Sequence, residues 1–314
     1  PPPSSDWQSA MEQTHQQQHI VVMTGATAGL GAQALHRLAL QPSARIIIGA
    51  RSGRTMPDVE VLPLDLASLD SVRGFAKAVI ELIGQAKIDV LVLNAGTQSP
   101  NAGTQSADGF ELTFAVNHLA HYLLARLLEP HLADGGRLVI TTSDTHDPEV
   151  TPLGPKSLDP QALAHTTKSG LGTGMRAYAA SKLCNLLTAQ SFAARDDIKA
   201  RQISVIAFNP GLTGGTSLGR EVSPAARALM GILMRTVFRL VGLVKPEFVM
   251  STAERSGELL AEVARGAITP PPGRVYVSLL KGQPTFPDPS ELARSRDARD
   301  QLWRDSAAMV GLTA

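Results

Sequence analysis

Residues 19–31 read His19-Ile20-Val21-Val22-Met23-Thr24-Gly25-Ala26-Thr27-Ala28-Gly29-Leu30-Gly31. An apolar, β-branched run ends at Thr24, three glycines follow, and a helical pattern continues over Gly29–Leu40. A strand that breaks into such a turn and then opens a helix leaves the first helical N–H groups free at the positive end of the helix dipole. Glycine lets the backbone close tightly and approach a pyrophosphate. The spacing is G-x-x-x-G-x-G rather than G-x-G-x-x-G, and taken alone it is equally that of an ordinary strand–helix turn.

Outward from this turn the first half of the chain alternates. His19–Thr24, Arg45–Ala50, Val59–Leu64, Ile88–Asn94 and Arg137–Thr142 read as strands, with helical patterns over Gly29–Leu40, Ser68–Gly84 and Gly109–Leu132. Gln202–Phe208 and Arg274–Ser278 add two more strands. Runs such as Ile46-Ile47-Ile48 are continuously apolar, as in strands covered on both faces of a parallel sheet. The expected fold is therefore α/β: a Rossmann-type, doubly wound parallel sheet. The 314 residues are expected to form one catalytic domain over 19–314, since α/β chains reach that size undivided. The hexapeptide Asn94–Ser99 (NAGTQS) recurs as Asn101–Ser106, joined by Pro100. Two short copies fit a lengthened loop rather than a solenoid.

Composition excludes several classes. A formal charge of +1 with only 4% aromatic residues leaves no electrostatic or stacking footprint for nucleic acid. Cys184 is the one cysteine, so no intramolecular disulfide forms, and a reducing, cytoplasmic location is expected. Residues 1–18, rich in Pro, Ser and Gln, read as a disordered tail without signal or transit features. The first residue is Pro1, so an already removed targeting segment stays an open alternative. The longest apolar stretch, Ala225–Val244, is interrupted by Arg227, Arg235 and Arg239. It reads as an amphipathic helix, compatible with peripheral membrane contact, rather than a transmembrane span.

Arg51 follows the second strand directly. A cation there suits the 2′-phosphate of NADP, where an acid would accept from the ribose of NAD; Arg54 could assist. Alternatively Arg51 is a solvated surface side chain. Asp65 ends the third strand, either as an acceptor for the adenine amino group or as the cap of the following helix. Asn94-Ala95-Gly96 ends the fourth strand at the same crevice.

Tyr178-Ala179-Ala180-Ser181-Lys182 lies in a helical pattern over Arg176–Ala194. Residues four apart share a helix face, and a nearby ammonium lowers a phenol's pKa toward usefulness as a general acid or base. Y-x-x-x-K alone is also a common surface pair. Ser143 ends the fifth strand in Thr141-Thr142-Ser143, and Asn117 lies in the helix before it.

In this order, T-G-x-x-x-G-x-G, N-A-G, Asn, Ser and Y-x-x-x-K resemble the short-chain dehydrogenase/reductase pattern over nearly the whole chain from His19. The resemblance implies a catalytic tetrad of Asn117, Ser143, Tyr178 and Lys182. Tyr178 would donate the proton, and Lys182 would bind the nicotinamide ribose and lower the Tyr178 pKa. Ser143 would orient a carbonyl, and Asn117 would hold a water of the proton relay. It implies an NADP(H) site in which Gly25, Thr27, Gly29, Leu30 and Gly31 meet the pyrophosphate end. Arg51, Asp65 and Leu66 would meet the adenosine end. Asn94, Ala95, Gly96, Tyr178, Lys182, Pro210, Gly211 and Thr213 or Thr216 would line the rest, Thr216 being favoured for the nicotinamide amide. Ala107–Leu112, Asn117-His118-Leu119, His121, Ser181-Lys182-Leu183-Cys184-Asn185, the long Ser143-to-Tyr178 interval and the C-terminal Asp297–Leu312 are similar to the branch of protochlorophyllide reductases and retinol dehydrogenases. Leu212 departs from it, standing where the photochemical reductase has cysteine, and Arg51–Val59 is too short for the helix usual there.

Residues 209–250 follow the sixth strand and are expected to form a substrate loop and helical lid. Leu229–Val244 would cover a bulky apolar substrate, with a core helix or dimer face as the alternative. His118, His121, His146 and His165 lack ligand spacing, so no metal is expected. The expected function is hydride exchange between NADP(H) and a carbonyl or alcohol of a hydrophobic small molecule, in a homo-oligomer. Reduction of a C=C bond in a conjugated ring system is the alternative, and a non-catalytic NADP-sensing or scaffold protein a third reading.

Overall fold

The computed structural model describes residues 18–51, 56–214 and 251–314. The expected tail, Arg54, Thr216 and the lid helix fall outside these residues, apart from Gln18 at the end of the tail. Strands β1 (His19–Thr24), β2 (Ala44–Ala50), β3 (Val59–Pro63), β4 (Ile88–Leu93), β5 (Leu132–Thr141), β6 (Ser204–Asn209) and β9 (Tyr276–Leu280) correspond to the seven strands read from the sequence. With an edge strand β10 (Gln283–Thr285) they form one sheet in the order β10-β9-β6-β5-β4-β1-β2-β3, antiparallel only between β9 and β10. A two-residue pair, β7 (Thr213–Gly214) with β8 (Ser251–Thr252), stands apart. The chain winds outward from β1 through β3, then returns to place β4 on the other side of β1. This reversal opens a crevice above the carboxyl ends of β1 and β4.

The sheet is covered on both faces, which is why its strands carry no polar alternation. Ile20, Val22, Leu91, Leu93, Leu138 and Ile140 belong to one apolar layer, with helices α2 (Leu69–Ile83), α4 (Ala120–Leu128) and α6 (Thr173–Ala194). Val21, Met23, Ile46, Ile48, Val90 and Val92 point the other way, into a layer with α1 (Gly29–Ala39) and α8 (Ala253–Arg265). Alternation with period two thus sorts one apolar strand between two cores. Gly257 sets the closeness of α1 and α8: a Cβ there would lie 2.4 Å from the Leu30 carbonyl oxygen.

The helix expected over Gly109–Leu132 is shorter and interrupted. It runs as α3 (Leu112–Phe114), a π-helical turn (Ala115–Leu119) and α4, and β5 already begins at Leu132. The Glu111 carboxylate starts it by accepting from the Thr113 and Phe114 N–H groups at 3.0 and 2.7 Å. The short α5 (Pro160–Ala164) and α7 (Asp196–Ala200) flank α6 in the chain. The C-terminal α9 (Arg296–Met309) packs on the α4–α6 layer. Trp303 meets Tyr122 and Phe192 edge-on, each at 5.1 Å between centroids, and the Arg126 guanidinium lies 4.8 Å from the Trp303 ring. Tyr122 donates to the Trp303 carbonyl at 3.2 Å. Trp303→Ala should cost about 3 kcal/mol of stability, measured by denaturant unfolding.

Candidate active site

The Thr24 hydroxyl, at the end of β1, is the hub of the crevice. Its oxygen accepts from the Asn94 and Ala95 N–H groups at 3.0 and 3.1 Å and lies 2.9 Å from His121 Nε2. His121 Nδ1 donates to the Asn117 carbonyl at 3.0 Å, so Nε2 is the acceptor and Thr24 donates to it. Burial lowers the His121 pKa to about 4, consistent with a neutral ring. The Asn117 amide donates to the Thr97 carbonyl at 2.9 Å and to Ser181 Oγ at 3.0 Å, and accepts from the Thr97 N–H at 2.7 Å. Ser181 in turn donates to the Tyr178 carbonyl at 2.7 Å. One buried network therefore runs from the glycine turn to the helix that bears Tyr178 and Lys182.

The turn itself fits a dinucleotide. Gly25 has φ +67°, and a Cβ on it would strike the Ala95 backbone at 2.6 Å. A Cβ on Gly31 would stand 1.9 Å from the Gly25 carbonyl oxygen. Gly29 also has positive φ, +55°. Ala28 caps α1 without a side-chain hydrogen bond, and the first turn holds no acid. The first amides of α1 thus keep their capacity for an anion. Thr27 is exposed beside them and Leu30 is buried. Arg51 is exposed directly after β2, a position from which its guanidinium can serve a phosphate. Asp65 is exposed after β3, with Leu66 half-buried beside it; Asp65 Oδ1 accepts from the Ala67 N–H at 3.0 Å. Ser68 caps α2, accepting from the Ser71 N–H at 3.3 Å, so Asp65 is free of that duty.

Asn94 serves the scaffold: Nδ2 donates to the Gly25 carbonyl at 3.1 Å and Oδ1 accepts from Thr141 at 3.0 Å. Gly96 brings the end of β4 against α6, since a Cβ on it would lie 3.4 Å from Lys182 Nζ. Pro210 and Gly211 follow β6. Gly211 has φ +65° and donates its N–H to Asn209 Oδ1 at 2.9 Å. Thr213 Oγ1 is tied to the Pro210 carbonyl at 3.2 Å and Ser256 Oγ at 2.9 Å, which directs it toward α8.

Tyr178 and Lys182 face β5 from α6. Lys182 Nζ donates to the Thr141 carbonyl at 3.3 Å and lies 5.4 Å from the Tyr178 ring centroid. Thr142 Oγ1 donates to the Lys182 carbonyl at 2.7 Å, and Asn185 donates to the Thr141 carbonyl at 3.0 Å, locking helix to strand. Burial lowers the Lys182 pKa to about 8. The phenol departs from the sequence-based expectation. Burial, and then the Asp144 charge, push the Tyr178 pKa above its ordinary value, opposed only by the Ser143 hydroxyl. Desolvation of the phenolate is the largest of these effects. Asp144 carried no signal in the sequence beyond its place after Ser143. Thr24 and His121 were equally silent as working residues, because their roles depend on partners 97 positions apart.

A short chain dehydrogenase family model matches residues 19–151. Over 327 residues the chain is 33% identical to protochlorophyllide reductase A, chloroplastic, of Hordeum vulgare, covering 94% of this chain and 81% of that one. An uncharacterized protein from Mycobacterium paratuberculosis superposes with a TM-score of 0.69 at 27% identity, over 94% of both chains. A short chain dehydrogenase from Burkholderia cenocepacia, solved in complex with NADP, shares the fold with a TM-score of 0.55 at 24% identity, over 78% of this chain and 90% of that one. The chain belongs to the short-chain dehydrogenase/reductase family and is an oxidoreductase. Within that family it is similar to the protochlorophyllide reductases. Among the described residues no helix is long and apolar enough to cross a membrane.

Below about pH 8 Lys182 carries its charge; above it the ammonium is lost. Turnover through this pair, read as kcat/KM against pH, should therefore fall as pH rises through about 8. Lys182→Arg, charged throughout, should lose that limb of the profile.

Proposed function

We propose that this chain is an NADPH-dependent reductase of a carbonyl group on a bulky, hydrophobic small molecule. The observation that carries the reading is Lys182, whose Nζ lies 5.4 Å from the Tyr178 ring centroid and 3.4 Å from where a Cβ on Gly96 would stand, at the sheet end that holds the glycine turn. The reduced nicotinamide, when bound, supplies the hydride. Tyr178 gives its proton to the developing alkoxide, and the Ser143 hydroxyl orients the carbonyl oxygen. Lys182 stabilises the phenolate that Tyr178 leaves behind. Gly25, Gly31 and the open amides of α1 admit the pyrophosphate, and Arg51 binds the 2′-phosphate that distinguishes NADPH from NADH. Asn117 holds Thr97 and Ser181 in register with the catalytic helix.

A second reading is reduction of a carbon–carbon double bond in a conjugated ring system. The 33% identity to protochlorophyllide reductase over nearly the whole chain favours it. In that case Tyr178 protonates carbon rather than oxygen. Leu212, standing where the photochemical enzyme has cysteine, argues for chemistry in the dark.

NADPH consumption against hydrophobic ketones, aldehydes and enones, with product identification and a light control, separates the two readings. Tyr178→Phe should lower turnover at least about a hundredfold while NADPH still binds, as read by nicotinamide fluorescence. Retained turnover in that variant would overturn the assignment of Tyr178. Arg51→Ala should raise the KM for NADPH about tenfold and leave that for NADH nearly unchanged. Equal effects on both cofactors would remove Arg51 from the phosphate site.

A further inference from the structure

The glycine turn follows β1 and Pro210–Gly211 follows β6, at the same end of the sheet, with β4 and β5 between them. That is three strand spacings, about 14 Å. One helix touches both places. α8 begins where the Thr252 side chain accepts from the Arg255 N–H at 3.1 Å, and Ser256 follows, fully buried. Ser256 Oγ donates to the Pro210 carbonyl at 3.2 Å and lies 2.9 Å from Thr213 Oγ1. Thr213 Oγ1 lies 3.2 Å from the Pro210 and Gly211 carbonyls as well. Each hydroxyl carries one proton, so the pair keeps one bond between themselves and one to the loop backbone. Beside them the Ser251 N–H donates to the Leu212 carbonyl at 2.8 Å.

The next residue meets α1. A Cβ on Gly257 would stand 2.4 Å from the Leu30 carbonyl oxygen, 2.5 Å from Gln33 Cβ and 3.0 Å from the Ala34 nitrogen. Since α1 opens at the glycine turn, two consecutive residues of α8 hold the helix of that turn and the loop after β6. Leu259, Leu260 and Val263 anchor α8 in the apolar layer it shares with α1 and the sheet. Alanine would fill nearly the same space as Ser256, so packing alone does not call for the hydroxyl. What the hydroxyl adds is a fixed attachment of the loop.

We propose that Ser256 is a positioning residue for hydride transfer, holding the Pro210–Thr213 loop against the nicotinamide at a set distance from the glycine turn. This rests on the NADPH site given above. The hydride forms the new C–H bond, and the carbonyl π electrons pass to oxygen, which takes the Tyr178 proton. Ser256 exchanges nothing in that step and touches neither cofactor nor substrate. It acts through the Pro210 carbonyl and the Thr213 hydroxyl. Hydride transfer falls steeply when the reacting carbons are displaced by as little as about 1 Å, so a loop that drifts costs rate before it costs affinity. The same tie commits the Thr213 hydroxyl to the scaffold rather than to the nicotinamide amide.

The test uses the full chain loaded with NADPH, with phenanthrenequinone as the carbonyl probe. Ser256→Ala should keep the Kd for NADPH within about threefold, because the pyrophosphate and 2′-phosphate are held elsewhere. Single-turnover hydride transfer should slow about tenfold. Independently of turnover, the fluorescence lifetime of the bound nicotinamide should fall toward that of free NADPH. A purely structural serine would lower the melting temperature and leave the lifetime and the transfer rate as they were. Thr213→Val should give the same split in weaker form, and it decides the matter if Ser256→Ala does not fold. The double variant should lose no more than Ser256→Ala. An unchanged lifetime, a parallel fall of affinity and transfer, or additive losses in the double variant would each overturn the proposal. NADPH binding by the unaltered chain is measured alongside. Its absence removes the cofactor reading itself, whereas binding with an unchanged Ser256→Ala complex removes only the role of Ser256.

Discussion

The Thr24 hydroxyl carries one donor and two acceptor positions, and this fold uses all three. Two backbone amides from the end of β4 donate to it, and it donates to a buried, neutral His121. The other nitrogen of His121 reaches the Asn117 carbonyl at the π-helical turn. Through this link the width of the crevice between β1 and β4 is coupled to the placement of the helix pair that bears Asn117, Ser181 and Tyr178. Buried and without water to compete, each member is costly to leave unsatisfied.

Electrostatics at the catalytic end follow from the same burial. Tyr178, Lys182 and Asp144 are each withdrawn from water, and burial pushes each toward its neutral form: Tyr178 up, Lys182 down, Asp144 up. Such surroundings favour groups that pass protons over groups that hold fixed charge. The glycine turn shows the complementary strategy. It offers backbone amides and a helix dipole to an anion, with the carboxylates nearby kept out of the first turn of α1.

Much of this was legible without coordinates. The seven sheet strands, the glycine turn and the Tyr178–Lys182 spacing depend on local pattern: continuous apolar runs, a break, a period. The interrupted helix at Ala115–Leu119 was not legible, because a π-turn leaves little sequence signal and is decided by tertiary contacts. The acid at Asp144 was likewise hidden. Its proximity to Tyr178 is created by packing β5 against α6, and its raised pKa by burial, neither of which has a periodicity. The expected lowering of the Tyr178 pKa by Lys182 considered one neighbour and omitted desolvation, the larger effect.

The repeated hexapeptide marks the boundary most clearly. Asn94–Ser99 and Asn101–Ser106 are identical, so local propensity treats them alike. In the structure Asn94 closes the strand end, donating to Gly25 and accepting from Thr141, while Asn101 merely turns back on the Gly103 N–H at 2.9 Å. The chain by itself determined the layer architecture, the parallel order of elements and the class of chemistry, because those rest on hydrophobic period and on residue types at fixed spacing. Tertiary structure alone decided which copy of NAGTQS works, which histidine is neutral and where the second acid stands. Each of those depends on partners distant in sequence and on the loss of water around them.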